Sequence, residues 1–262
     1  MNNLRGIYTI WYRDILRFWH DKMRMVGAII FPLLFLFIFG GGLGSRIGML
    51  SAGVNFTQFI YPGVIGMTVL MSSIMAGVSV VWDREFGFLK EVLVAPISRA
   101  SVALGKAAGS ATVALMQGFL ILALAPLVGA TVSLPTILAL IPLLLLLAIA
   151  MGSLGILLAT RIRSMEAFQV VTQMLMFPMI FLSGVFFPLQ GLPSWMNIVV
   201  KLNPATYGIA PIRQVVLGGS SSSSFNIEVL GHTMTLWDIL LVLVAFGAVM
   251  VVLAMWSFEH QD

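Results

Sequence analysis

Three histidines, ten carboxylates and one Gly-Lys step are the parts from which this sequence could assemble an active centre. His20, His232 and His260 lie far apart in the chain and on different sides of any membrane layout, so they form no metal set. Each reads as a solvated or interfacial histidine. Gly105-Lys106 is followed by Ala107 and lacks the earlier Gly and the following Ser or Thr of a phosphate loop. A Ser-His-Asp set would need an Asp within the apolar stretches, and none lies there. The chain has no Cys, which excludes a disulfide framework, a thiolate metal site and a cysteine nucleophile. The expectation is a chain with no catalytic or metal-ligating residues and no cofactor of its own.

The surrounding composition explains this poverty. Of 262 residues 60% are hydrophobic and 9% charged, against roughly 25% charged in a soluble domain. The net charge of +4 gathers on no basic face, so nucleic acid is excluded as a partner. An all-α polytopic membrane protein remains, read as one domain over 1–262. A spanning helix needs about 20 mostly apolar residues. Six such stretches are uncharged: 25–45, 58–82, 107–130, 137–160, 167–189 and 239–258. Pro32, Pro126, Pro142 and Pro178 fall inside them, and a bundle tolerates the resulting kinks.

Residues 1–24 hold seven charges and two Trp, which is not a signal peptide. Ile7, Trp11, Ile15 and Phe18 or Trp19 recur at helical spacing among basic residues. That pattern predicts an amphipathic helix at the membrane surface, in contact with lipid, or else a charged flank that fixes topology. Eleven basic residues precede span one or link spans two to three and four to five, against Arg46, Lys201 and Arg213 elsewhere. The bias places the first group, and both termini, in the cytoplasm, with the chain in the cell membrane.

Two segments are neither spans nor ordinary loops. In 83–106, Arg84, Glu85, Lys90 and Glu91 alternate with Phe86, Phe88, Leu89, Val92 and Leu93 up to Pro96. This predicts a short amphipathic helix, docked on a cytosolic partner or laid on the membrane. In 190–238, Pro193 and Asn203-Pro204 each mark a helix start. The reading is an outer helical hairpin that dips into the membrane, with Lys201 and Arg213 snorkelling or pairing with carbonyl ends. Ser220–Ser224 form a flexible link, and Phe225–Leu236 a small hairpin. A proton-driven carrier keeps ionisable groups at membrane depth, and these spans hold none. Uphill movement would therefore need energy from another chain.

The segment DREFGFLKEVLVAPISR resembles the cytoplasmic coupling helix of ABC-2 type export permeases, in particular the daunorubicin-resistance branch. LSGVFFPLQGLPSWM followed by LNPATYGIAPIR is similar to the C-terminal signature of that family. The resemblance covers essentially the whole chain. It implies the membrane half of an exporter: a homodimeric permease with two separate ATPase subunits, which bind the ATP and Mg. Arg84, Glu85, Phe86, Lys90, Glu91 and Arg99 become docking candidates by position, with the amphipathic N-terminal helix transmitting closure. Asn203, Pro204, Tyr207 and Arg213 mark the outer hairpin or gate. Many relatives carry an acid where this chain has Ala210, so Arg213 has no acidic partner in its own helix.

A homodimer's pathway would lie where spans two and five face their mates. Candidate lining residues are Thr68, Met71, Ser72 and Met75 on span two, and Gln169, Thr172, Gln173 and Met176 on span five. Ordinary helix packing explains any one of them equally well. Polar uncharged groups with Met suit a hydrophobic or amphipathic cargo such as a drug, antibiotic or lipid-like molecule. A polysaccharide or lipid-linked glycan would favour a Trp- and Tyr-lined channel, and only four Tyr are present. A membrane anchor or assembly factor without transport is the third reading.

Overall fold

The computed structural model describes residues 3–43, 55–85, 98–130, 132–162, 164–189, 191–218, 227–229 and 232–259. Helix α1 (Asn3–His20) leads into α2 (Lys22–Phe35), which continues as π-helical turns over Leu36–Leu43. Gly40, Gly41 and Gly42 fall in these wide turns. Next come α3 (Phe56–Ile74), α4 (Ala76–Glu85), α5 (Arg99–Leu122), α6 (Leu134–Arg161) and α7 (Met165–Phe181). Then α8 (Ser194–Leu202) and α9 (Pro204–Leu217) precede α10 (Leu236–Glu259). The expected small hairpin is present as the antiparallel strands β1 (Glu228–Val229) and β2 (His232–Thr233).

Among the described residues five helical stretches are long and apolar enough to cross a membrane: Met25–Gly42, Phe56–Glu85, Arg99–Leu122, Leu134–Arg161 and Leu236–Phe258. The α7 helix has 17 residues, about 25 Å of rise. Its expected extent, 167–189, is cut short because Leu182–Leu189 turns away from the helix, with Gly184 at φ 81°. The third span is also redrawn. It begins eight residues before the expected Ala107, where Ser98 accepts the Ser101 N–H as a cap. It ends at Leu122, so Pro126 sits in a separate 3-10 turn and kinks nothing. Span two runs to Glu85 with a break at Met75. Hydroxyls bonded four residues back accompany that break: Thr68 donates to the Val64 carbonyl and Ser73 to the Val69 carbonyl. Helix starts elsewhere are capped by Ser133, Ser164 and Asn203, and by the reciprocal Thr235–Asp238 pair.

Helix α3 is the centre of the bundle. Phe59, Ile60, Tyr61, Ile65, Leu70 and Ile74 are fully buried among α5, α6 and α9. Two glycines bring the halves of the bundle into backbone contact: a Cβ on Gly155 would meet the Ile74 carbonyl, and one on Gly77 the Gly155 carbonyl. Helices α3 and α5 run antiparallel, whereas α6 and α10 run parallel, with Gly247 on Ala150 at mid-length. The Tyr61 hydroxyl at the start of α3 donates to the Ile121 and Leu122 carbonyls at the end of α5 (3.1 and 2.9 Å). The end of α6 meets the end of α10 through Thr160 and Ser257 (2.7 Å).

Helix α1 does not float on the surface but lies in a groove along α5. Gly105 admits Ile10, Gly109 admits Asp14, and Trp11 Nε1 donates to Thr112 Oγ1 (2.9 Å). The apolar stripe read from sequence turns inward, with Phe18 buried and Ile7, Trp11 and Ile15 half-buried. A second stripe, Leu4, Tyr8, Tyr12, Leu16 and Trp19, faces outward. This aromatic-rich face suits headgroup depth.

Candidate functional site

At the basic end of the bundle three elements meet on one carboxylate. Asp83 closes α4, Lys106 lies in the second turn of α5, and Arg13 belongs to α1. Lys106 Nζ donates to Asp83 Oδ2 (2.6 Å) and to Ser79 Oγ (3.0 Å), and the lysine is 1% exposed. Arg13 donates to the same Asp83 oxygen and to Asp14 Oδ1, both at 3.3 Å. The sequence puts Asp83 and Lys106 in a solvated link. The structure puts both in helices and buries them, because each neutralises the other.

The roots of that link are also held. Arg84 donates to the Ala159, Thr160 and Ile162 carbonyls (3.1–3.3 Å), closing the C-terminus of α6 where unpaired carbonyls accumulate. On the far root the Ser98 N–H donates to Asn3 Oδ1 (3.3 Å), again on α1. Glu85 is exposed and Arg99 half-buried. Phe86, Lys90 and Glu91, with the expected amphipathic helix itself, lie outside the described residues.

A cavity of about 380 Å³ opens beside this cluster between α1, span two, α5 and α7. Ser72, Met75 and Gln169 line it, as do Asp14, Arg17 and Trp82. A smaller cavity of about 140 Å³ continues along span two beneath α2, lined by Thr68, Met71, Ser72 and Gln117. Ser72 belongs to both, and its buried hydroxyl has no hydrogen-bond partner among the described residues. Five of the eight lining residues expected from sequence border one of these two cavities of the single chain. The other three line neither of them. Thr172 and Met176 turn into the core of this chain, Thr172 donating to the Phe168 carbonyl (2.6 Å), and Gln173 is exposed on the opposite face. Gln117 was missed, although a lone amide in mid-span is a visible signal.

At the other end, the Asn-Pro-x-Thr-Tyr segment ties α8 and α9 to the end of α7. Asn203 Nδ2 donates to the Met179 carbonyl (2.7 Å) while its Oδ1 caps the Ala205 N–H (3.0 Å). Pro204 occupies the first position of α9. Thr206 donates to the Val200 carbonyl (2.9 Å) and Tyr207 to the Lys201 carbonyl (2.7 Å). Arg213 does not snorkel. It is 2% exposed, donates to the Gly184 and Val185 carbonyls, and stacks on Phe59 with its guanidinium carbon 4.1 Å from the ring centre. Backbone carbonyls and an aromatic face here receive the guanidinium. Replacing Asn203 with Ala should cost about 2–4 kcal/mol, the cap plus an orphaned buried carbonyl. Thermal unfolding in detergent would measure this. Asn203→Asp should not rescue, since it sets a carboxylate against the Met179 carbonyl.

The fold and these two ends define a multi-pass helical membrane protein whose sequence motifs hold structure together and whose openings follow span two. Residues 5–217 match the ABC-2 type transporter family, and the chain belongs to that family of ABC transporter membrane subunits. It is 31% identical over 256 residues to ycf38 of Cyanophora paradoxa, whose name describes a transport permease, covering 94% of this chain and 86% of the relative. It is 30% identical over 216 residues to the inner membrane transport permease YadH of Escherichia coli strain K12, covering 81% and 83%. Nodulation protein J of Rhizobium leguminosarum bv. trifolii is 27% identical over 213 residues, covering 80% of each chain.

Proposed function

We propose that this chain is the permease of an ATP-driven exporter for a hydrophobic or amphipathic compound. Two copies form the pathway, and two separate ATPase subunits supply ATP hydrolysis. In this reading α7 with its Leu182–Leu189 extension completes a sixth span. Both termini lie in the cytoplasm and the protein resides in the cell membrane. The α8–α9 hairpin covers the outer mouth, with Asn203, Pro204, Tyr207 and Arg213 as its gate.

The observation that carries the reading is how the segment between spans two and three is rooted. Asp83 and Ser98, on either side of residues 86–97, are both bonded to α1. A push on that segment moves α1 and the wall of the larger cavity together. Glu85, Phe86, Lys90, Glu91 and Arg99 are the docking residues, while Arg84 couples the root to span four. Co-expression with the ATPase of a neighbouring reading frame provides the test. Vesicles should accumulate an amphipathic dye with ATP, and Glu85→Lys should uncouple hydrolysis from transport while the permease still folds. Undiminished coupling in that variant would overturn the docking assignment. ATP hydrolysis without movement of any cargo would favour an anchor or assembly role.

A further inference from the structure

The larger cavity contains a charged feature that transport of a purely apolar cargo does not need. Asp14 and Arg17 on α1 and Asp21 just past its end stand at i, i+3 and i+7, and all three line the cavity. The Arg17 guanidinium lies over the indole of Trp82, 5.2 Å from the ring centre. An indole face in a cavity whose wall also carries two carboxylates is a seat for a cation. Among the described residues that line the cavity, the one basic side chain is this arginine, at an exposed position of α1. Asp14 is additionally steadied by Arg13 and by the close packing of its Cβ on Gly109. Asp21, just past the end of α1, is the exposed member of the pair. Away from the charges, Met75 and Ser72 lead into the apolar second cavity along span two.

We infer that the cavity at the basic end is a cation seat that Arg17 occupies in the resting chain and that an ammonium-bearing amphiphile takes over. The ammonium would lie on Trp82 between Asp14 and Asp21, the displaced Arg17 would swing to water, and the apolar body would lie along Met75 toward Ser72. Arg17 thereby acts as a built-in competitor that sets the affinity threshold. The inference rests on the export reading for the fate of the bound molecule, but the seat itself is a property of this chain alone.

The test uses the full-length permease in nanodiscs without any ATPase, so it can fail independently of the export assignment. The probes are two xanthene dyes of like size and opposite charge, rhodamine 6G and fluorescein, followed by fluorescence anisotropy. Wild type should bind rhodamine 6G saturably and fluorescein not. Asp21→Asn should weaken rhodamine binding about three- to tenfold, and Arg17→Gln should strengthen it by a similar factor. Displacement by dodecylamine placed in the nanodisc bilayer would assign the natural ligand to the membrane, and displacement only by soluble cations would assign it to water. Equal binding of both dyes, or an Arg17→Gln variant that binds rhodamine 6G no better than wild type, would overturn the seat. Unfolding profiles of the two variants separate a lost seat from a lost fold.

Discussion

Replacing Asp83 with Asn should destabilise the protein by about 3–5 kcal/mol, the range for breaking one side of a buried ion pair. Lys106 at 1% exposure would keep only the Ser79 hydroxyl among its two described bonds, and Arg13 would lose its link to span two. The effect is larger than for a surface pair because neither partner can be compensated by water. The double change Asp83→Leu with Lys106→Met removes both charges and should restore most of the stability, since apolar replacement of a whole buried pair is often neutral or better. It should not restore ATP-coupled transport, because α1 would keep only its Ser98 bond to the segment between spans two and three and lose the one to span two. Thermal unfolding reads the first quantity and dye transport per ATP hydrolysed reads the second. A double variant that regained both would reduce Asp83 to a packing element.

Gly155→Val should have the other large effect. The incoming Cβ would strike the Ile74 carbonyl, and that neighbour is backbone, which cannot escape by changing rotamer. Spans two and four would have to separate, and the Gly77 contact would open with them. Gly155→Ala is expected to cost about 1–3 kcal/mol and the valine variant more. Gly27→Ala serves as the control, because a Cβ there meets nothing within 4 Å. It should leave stability unchanged or raise it by up to about 1 kcal/mol. Monodisperse yield and unfolding temperature in one detergent would rank the three. A tolerated Gly155→Val would mean that the two helices do not approach at this point.

Hydropathy and charge located the helices well because both are properties of consecutive residues. It misplaced their ends where a side chain far off in sequence decides them. Span two outlasts its apolar run because Lys106, 23 residues on, neutralises Asp83. Span five stops before its apolar run does because Gly184 and the following turn supply the carbonyls that hold Arg213. The outer motif was legible as a pair of helix starts, since a cap acts locally. Its second duty, Asn203 to Met179, is not local and left no trace in the pattern. The candidate lining residues divided for a similar reason. Helical spacing groups Thr172 with Gln169, but only the packed bundle decides that Thr172 faces Phe168 while Gln169 reaches the cavity. The cation seat was hidden because its charges lie on α1 and its indole at the end of span two.

The groove that holds α1 also sets an order of events during synthesis. Trp11 precedes its partner Thr112 by 101 residues, so at about 5–20 residues per second the first helix is finished roughly 5–20 s before α5 exists to receive it. In that interval Ile7, Trp11, Ile15 and Phe18 need another apolar surface, and the bilayer is the one at hand. The nascent helix must therefore rest on lipid by the stripe that the mature protein buries, then roll onto the opposite stripe of Leu4, Tyr8, Tyr12, Leu16 and Trp19 once Gly105 and Gly109 offer their groove. Two greasy faces on one short helix are what such a hand-over from membrane to protein requires.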